Sequence, residues 1–324
     1  MKRKKIFTGF FAMVIVVALT VTSAWAAELG AKDETIKLAI NEWTGQHITT
    51  HVAGEILKRM GYKVKYVVAG YIPQFEAIPD GTITATLEIW ESSIGEAFNK
   101  AVAKPEVDDL GSIGLIPIEG WWYPDYVAKL CPGLPNWKAL KDCAKAFVTP
   151  ESFPKGRLVD YPADWATNND KRVEALGLDF KVIPSGSEGA IIAEIKSAIS
   201  RKAPLLVMFW SPHWIHGTYK GDWVQWPKQE PACFEDPSWG LNPKAIYDCG
   251  FANAWMKKAA WAGMKDKWPA AYKVLSAYKL TNPEQEKMMA RIDSKGEKLG
   301  KVVDEWVDQN EKVWRPWVNA ALAN

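Results

Sequence analysis

The chain has 324 residues, of which 40 are basic, 38 are acidic and 18 are tryptophan. The near balance of charge argues against a nucleic-acid-binding protein, which needs a clustered basic surface. The length is sufficient for one large domain or for two ordinary lobes, each with its own hydrophobic core.

The first 26 residues have the three-part pattern of a secretory signal peptide. A basic start at residues 2–5 precedes an apolar run at residues 6–21, and Ala24-Trp25-Ala26 supplies the small residues of a cleavage site. The apolar run is short for a retained membrane anchor, which needs about 20 residues. We therefore expect cleavage after Ala26 and a periplasmic location. Removing four basic residues leaves 36 basic against 38 acidic residues, a net charge of −2.

Four cysteines follow the signal peptide, and an even number in an exported chain predicts disulfides. The pairs Cys131–Cys143 and Cys233–Cys249 are favoured over the two other pairings because short loops close easily. A zinc site is the alternative, but the chain has no CxxC pair to support one.

The predicted elements alternate between strand and helix. The first unit has strands at 35–40, 63–68 and 84–89 and helices at 48–60, 73–78 and 93–103. The second has strands at 113–118, 157–159, 180–183 and 205–209 and helices at 136–147 and 188–201. Residues 219–242 are predicted to be an ordered loop, and residues 251–317 a tail that is nearly all helix.

This alternation predicts an α/β protein with two mainly parallel sheets flanked by helices. We expect residues 27–115 to form the first part of lobe 1, residues 116–214 to form lobe 2, and residues 215–324 to return to lobe 1 as a helical tail. Ligands of open α/β sheets bind beyond the carboxyl ends of the strands.

Six tryptophans lie at or shortly after the carboxyl ends of predicted strands, where a core tryptophan is less typical. A quaternary ammonium group donates no hydrogen bond, so a site must hold it by cation–π and methyl contacts, for which tryptophan is the best ring. Three or four such contacts would supply roughly 6–8 kcal/mol, which is the scale of micromolar affinity. The six form a predicted cage: Trp43, Trp90, Trp121, Trp122, Trp165 and Trp210.

A betaine is a quaternary ammonium compound that also carries a carboxylate. This carboxylate needs hydrogen-bond donors. Gly45 and Gln46 precede a predicted helix, where backbone N–H groups favour an anion. His213 could donate as well.

Four motifs resemble those of the glycine betaine/choline substrate-binding proteins of ABC importers. The resemblance covers nearly all of the exported chain in order. The motifs are Glu42-Trp43-Thr44-Gly45, Glu88-Ile89-Trp90-Glu91, Pro162-Ala163-Asp164-Trp165 and Phe209-Trp210-Ser211-Pro212-His213-Trp214.

The resemblance implies a two-lobed periplasmic binding protein fold of type II that closes on its ligand. By position it implies Trp90, Trp165 and Trp210 as the main cage, with Trp43 and Trp122 (or Trp121) as further walls. It also implies that Gly45, Gln46 and His213 bind the carboxylate. The expected partners are a membrane permease and a separate ATPase. A monomer without catalytic residues, cofactor or metal is expected.

The choice of ligand follows from one departure from the family pattern. Choline-type members have an Asp shortly after the first tryptophan, where this chain has Thr44 and Gly45. Glycine betaine is therefore the leading ligand, with trimethylamine N-oxide, dimethylsulfoniopropionate, choline and carnitine as alternatives. For the oxide, a protonated carboxyl such as Glu42 or Glu91 could hydrogen-bond the oxygen.

Two other classes of protein compete with this interpretation. A metal-dependent enzyme could use His47 and His51, which are four apart on a predicted helix, but position 48 is Ile and the HExxH motif is absent. A protein that binds sugar or metal would need many polar side chains or a converging ligand set, and the predicted strand ends carry mostly aromatic rings.

Overall fold

The computed structural model describes residues 29–165 and 167–323. The predicted signal peptide lies outside these ranges. Within them, none of the helices has both the length and the apolar character needed to cross a membrane.

The described strands form two five-stranded sheets with equivalent topology. The first sheet has the order β2-β1-β3-β10-β4 and the second the order β7-β6-β8-β5-β9. In each sheet four strands point the same way and one, β10 or β5, runs antiparallel to its neighbours. This confirms the predicted mainly parallel α/β class. The strands are β1 Thr35–Ile40, β2 Lys63–Val68, β3 Ala85–Trp90, β4 Val107–Ser112, β5 Ile118–Pro124, β6 Gly156–Asp160, β7 Phe180–Pro184, β8 Val207–Ser211, β9 Gly221–Trp223 and β10 Met256–Trp261.

Helices pack against both sheets and cover their buried faces. Short 3-10 turns are found at Ala144–Phe147 and Ala163–Trp165, and a π-helical turn at Ala290–Ser294. The helices are α1 Thr44–Arg59, α2 Gln74–Ala77, α3 Glu91–Val102, α4 Val127–Leu130, α5 Ala139–Cys143, α6 Asn169–Ala175, α7 Glu188–Arg201, α8 Ile215–Thr218, α9 Ala232–Glu235, α10 Met264–Lys267, α11 Pro269–Ala277, α12 Asn282–Met289, α13 Leu299–Gln309 and α14 Glu311–Leu322.

Local signals explain where the two helices nearest the site begin. Helix α1 starts at Thr44, four residues earlier than predicted, because the extended backbone of Trp43 serves as its N-cap. In α7, the Ser187 side chain accepts a hydrogen bond from the backbone N–H of Ala190 at 3.2 Å. Ser187 is therefore the N-cap of α7.

Three predictions of secondary structure are wrong. The strand predicted at 113–118 is mostly a connection between β4 and β5, and the loop predicted at 219–242 contains β9. The all-helical tail contains β10, a central strand of sequence Met-Lys-Lys-Ala-Ala-Trp. Lysine and alanine are poor strand formers, so β10 is held by its pairing with β3 and β4 rather than by propensity.

The chain crosses twice between the two sheets. It enters the second sheet between β4 and β5 and returns to the first between β9 and β10. The returning segment is joined to the start of β5 by a reciprocal pair of hydrogen bonds, from Glu119 N to Asn253 Oδ1 at 2.9 Å and from Asn253 Nδ2 to Glu119 O at 3.0 Å. We call the part built on the first sheet the first lobe and the part built on the second sheet the second lobe. Because β9 pairs with β5, the second lobe extends beyond the expected boundary at residue 214.

Both predicted disulfides are confirmed. Cys131 and Cys143 link the ends of α4 and α5, and Cys233 and Cys249 close the segment that follows β9. The buried guanidinium of Arg172 donates from Nε to the carbonyl oxygen of Cys249 at 3.0 Å, which fixes the second disulfide against α6.

Candidate functional site

A small cavity lies between the two lobes. Both lobes contribute to its walls. The lining side chains are Trp43, Tyr71, Trp90, Ser93, Glu119, Tyr161, Trp165 and Trp210.

The rings of the cavity meet edge to face. Trp165 contacts Trp43 across the lobes at 5.2 Å between ring centroids and contacts Trp210 at 5.8 Å. Tyr161 contacts both Trp165 and Trp210 within the second lobe, and Tyr71 contacts Trp43 within the first. Neighbouring rings that are nearly perpendicular form the walls of a box, and their π-faces can attract a cation.

Each cage tryptophan is positioned by the end of an element. Trp90 is the last residue of β3 and Trp210 the fourth of five in β8, while Trp43 immediately precedes α1. Trp165 ends the 3-10 turn that follows β6. All four are at most 6 % exposed. The structure therefore brings four of the six predicted cage tryptophans together in one closed cavity.

Trp121 and Trp122 lie elsewhere. Both are inside β5, where Trp121 donates from its indole N–H to Asn169 Oδ1 at 2.9 Å and Trp122 packs against Phe209. Because β5 runs antiparallel, its first residues, not its last, lie at the edge of the sheet where the parallel strands end. This direction puts Glu119, paired in register with Trp210, beside the cavity instead.

Glu119 supplies the main polar group of the cavity. Its Oε2 atom and the Tyr161 hydroxyl are buried, and neither makes a hydrogen bond of standard geometry within the described ranges. Burial raises the pKa of Glu119 to about 8, with a smaller contribution from the nearby charge of Asp160 and against the lowering effect of the Tyr161 hydroxyl. At neutral pH the cavity therefore offers a protonated carboxyl and a phenol, both of which can donate.

The indole of Trp43 is held in place by a hydrogen bond to Glu88, which does not line the cavity. The Trp43 N–H donates to Glu88 Oε1 at 2.7 Å, while Thr49 Oγ1 and Gln285 Nε2 donate to Oε2, each at 2.7 Å. Burial raises the pKa of Glu88 to about 7 against the effect of these hydrogen bonds. Glu88 also has a φ of 64°, an unusual backbone conformation for a residue with a side chain.

The carboxylate-binding residues predicted from the sequence do not line the cavity. The Gln46 side chain bonds to the backbone of Asn41 and Ala39, and the Gly45 carbonyl accepts from Gln285. His213 is fully buried and packs edge to face on Trp210 at 5.0 Å.

The carboxyls proposed for an amine oxide are also outside the cavity lining. Glu42 is exposed, and Glu91 accepts the backbone N–H of Ala254 at 2.6 Å. Glu119 is the carboxyl that the cavity contains. Glu119, Tyr71, Ser93 and Tyr161 are not tryptophans, so the rule that places tryptophans after strands does not find them. Tyr161 does directly follow β6, so the same rule extended to tyrosine would find it.

A second cluster lies next to the cage. Atoms of Glu188, His213 and Asp293 lie within 4.8 Å of one another. The Nδ1 atom of His213 accepts the backbone N–H of Ile215 at 3.2 Å, so the ring proton is on Nε2, the atom that faces Glu188 at 3.3 Å. A protonated nitrogen cannot ligate a metal, and the cluster is therefore better described as a hydrogen-bonded contact between lobes. Neither histidine of the enzyme alternative belongs to this group of three, and His51 stacks on Tyr66.

Comparisons with known proteins place the chain in a family. Residues 34–309 match the family of substrate binding domains of ABC-type glycine betaine transport systems. The chain belongs to this family, and is thus a substrate-binding component of a transport system and not an enzyme.

Individual relatives agree with this assignment. The chain is 31% identical to the trimethylamine N-oxide-binding protein of Pelagibacter ubique over 97% of this chain and 99% of that protein. It is 24% identical to a glycine betaine/proline betaine-binding periplasmic protein of Salmonella typhimurium over 100% of this chain and 99% of that protein.

Solved structures confirm the two-lobed type II fold. Lactococcal OpuAC in its closed form with glycine betaine has a TM-score of 0.68 at 19% identity, covering 88% of this chain and 100% of that chain. A choline binding protein in complex with choline has a TM-score of 0.68 at 17% identity, covering 88% of this chain and 92% of that chain.

Proposed function

We propose that this protein captures trimethylamine N-oxide in the aromatic cavity and delivers it to a membrane permease. The observation that carries the proposal is Glu119: a buried carboxyl, beside the Tyr161 hydroxyl, whose Oε2 has no standard hydrogen bond within the described ranges, in a cavity otherwise lined by aromatic rings and Ser93. The export signal, the periplasmic location, the permease and a separate ATPase belong to the same proposal.

The chemistry of an amine oxide matches the two kinds of wall. Its three methyl groups surround a positively charged nitrogen, which the rings of Trp43, Trp90, Trp165 and Trp210 can hold by cation–π and methyl contacts. Its oxygen carries negative charge and only accepts hydrogen bonds. A neutral carboxyl of Glu119 and the phenol of Tyr161 are donors suited to that oxygen.

A betaine is the second candidate, because one relative and one solved structure are named for glycine betaine. A carboxylate, however, needs several donors in one place. The backbone N–H of Thr44, beside the predicted donors Gly45 and Gln46, donates to the Glu188 carboxylate of the protein itself, and His213 Nε2 lies 3.3 Å from the same carboxylate. This occupancy favours the oxide, and the relative named for trimethylamine N-oxide supports the same choice.

Calorimetric titration of the ligand-free mature protein tests the proposal. The panel is trimethylamine N-oxide, glycine betaine, choline, dimethylsulfoniopropionate and carnitine. We expect micromolar or tighter binding of the oxide and weaker binding of every other compound. Tighter binding of glycine betaine would replace the oxide with the second candidate. A folded sample that binds none of the five compounds would exclude the cage interpretation.

A further inference from the structure

The carboxylate of Glu188, in the second lobe, accepts a hydrogen bond from the first lobe. Glu188 is the first residue of α7, is 6 % exposed, and accepts the backbone N–H of Thr44 through Oε2 at 2.8 Å. Thr44 is the first residue of α1 and follows the cage residue Trp43. The N–H groups at the start of a helix form a natural site for an anion, and here a side chain of the protein supplies that anion.

His213 adds a second donor directed at the same carboxylate. Its Nε2–H lies 3.3 Å from Glu188 Oε1, at a geometry short of a standard hydrogen bond, and neither atom has another partner in the described part of the chain. Burial lowers the pKa of His213 to about 3, so the ring is neutral and acts by its N–H and not by charge. Both donors adjoin residues of the cage, Trp43 on one lobe and Trp210 on the other.

A reciprocal contact runs in the opposite direction. Asp293, in the π-helical turn of the first lobe, accepts the indole N–H of Trp214 from the second lobe at 3.0 Å. Its other oxygen accepts the hydroxyl of Thr44 at 2.8 Å. Each lobe thus contributes one carboxylate that accepts a hydrogen bond from the other lobe. We call these five residues the clasp: Thr44, Glu188, His213, Trp214 and Asp293.

We propose that the Glu188 side chain takes the place of a ligand carboxylate. It occupies the two donors beside the cage, the Thr44 N–H and the His213 Nε2–H. The lobes can then close on a ligand that has no carboxylate, and betaines are selected against. A betaine carboxylate placed near these donors would be repelled by the like charges of Glu188 and Asp293. The Glu188 carboxylate stays attached to α7, so the closed state keeps this contact with any ligand that fills the cage. This inference rests on the proposed function and assigns Glu188 as its specificity-determining residue.

The test compares Glu188→Ala with Glu188→Gln and with a control on the same helix. Glu194→Gln is the control, because Glu194 pairs with Arg157 within the second lobe. For each folded variant, calorimetry gives the dissociation constants of trimethylamine N-oxide and glycine betaine. Thermal unfolding without ligand shows that each variant is folded, and Glu188→Gln retains the size of the side chain if Glu188→Ala does not fold.

For Glu188→Ala we expect oxide binding to weaken by about tenfold, as for loss of a hydrogen bond to a charged group. We expect the affinity for betaine relative to oxide to rise by about tenfold or more, because the donors become free for a ligand carboxylate. Glu188→Gln should shift the ratio in the same direction by less, and Glu194→Gln should leave both constants unchanged.

Three results would contradict the account in different ways. If the wild type binds the oxide but the ratio is the same in Glu188→Ala and Glu188→Gln, Glu188 only supports closure and the inference is overturned. If the wild type does not bind the oxide, the proposed function itself fails. A glutamine variant that weakens both ligands equally also contradicts the assignment of Glu188 as the specificity determinant.

Discussion

The cage and the clasp lie side by side between the same two lobes, but they consist of different kinds of side chain. The cage is aromatic and contains two buried polar atoms, on Glu119 and Tyr161, that have no standard hydrogen bond in the described ranges. The clasp is built on two carboxylates, and three of their four oxygens accept hydrogen bonds at 2.8–3.0 Å.

The difference separates recognition from closure. A buried polar atom without a partner costs free energy, which agrees with a place for a ligand atom in the cage. In the clasp three of the four carboxylate oxygens have hydrogen-bond donors, and the fourth, Glu188 Oε1, faces His213 Nε2 at 3.3 Å. Under the proposed function, the ligand supplies one oxygen and a methylated cation, while the protein supplies the carboxylate that bridges the lobes.

Removing two rings of the cage should have the largest effect. Replacing both Trp90 and Trp210 with Ala removes one wall from each lobe, and we expect binding of every methylated ammonium ligand to become undetectable by calorimetry. Each lost contact is worth up to about 2 kcal/mol, so the pair accounts for roughly a thousandfold in affinity. Retained micromolar binding would place the ligand outside the cavity.

Glu119→Ala should separate the oxygen contact from the cation contact. We expect the affinity for trimethylamine N-oxide to fall by about tenfold to a hundredfold, the range for a hydrogen bond with a strong acceptor. Tetramethylammonium, which has no oxygen, serves as the matched ligand, and its affinity should change much less. An equal loss for both ligands would show that Glu119 contributes only to the shape or charge of the cavity.

The affinity for the oxide should fall at alkaline pH. Burial raises the pKa of Glu119 to about 8, and only its protonated form can donate to the ligand oxygen. Affinity should therefore be constant below this value and decrease above it by about tenfold per pH unit, as the required proton is lost. The Tyr161 hydroxyl stays protonated through this range because burial also raises its pKa.

Calorimetry across the alkaline range, repeated with Glu119→Gln, checks this prediction. The glutamine amide donates at every pH, so the variant should lose the pH dependence near 8. An affinity of the wild type that rises with pH would mean that an ionised Glu119 faces the ammonium group.

Trp121→Phe should have the smallest effect and serves as the control for the cage variants. The substitution removes the buried hydrogen bond to Asn169, so the free energy of unfolding should decrease by about 1 kcal/mol. Ligand affinity should stay at the wild-type value, because Trp121 does not line the cavity. A large loss of ligand affinity with an unchanged free energy of unfolding would mean that Trp121 contacts the ligand.

The sequence predicts the parts of the site that follow parallel strands. Trp90, Trp165 and Trp210 could be found because the carboxyl ends of parallel strands meet at one edge of a sheet. The same rule failed at β5, since a strand's direction within a sheet depends on its partners and not on its own residues. Because β5 runs antiparallel to β8, Glu119 lies beside the cavity and Trp121 lies away from it.

The clasp could not be predicted at all. Thr44 and Glu188 are 144 positions apart, and Thr44 and Asp293 are 249 apart. Neither spacing has a local signature, and Asp293 lies in a π-helical turn that no pattern in the sequence indicated. Likewise, β10 has the composition of a helix and is a strand only because two strands of the first sheet pair with it.

A crystal structure of the protein with trimethylamine N-oxide tests the central claim most directly. We predict that the oxygen lies within hydrogen-bond distance of Glu119 and Tyr161, that the methyl groups contact the cage tryptophans, and that Glu188 still accepts the N–H of Thr44. A ligand oxygen bound instead to the N–H of Thr44 or to His213, with Glu188 displaced, would contradict the account.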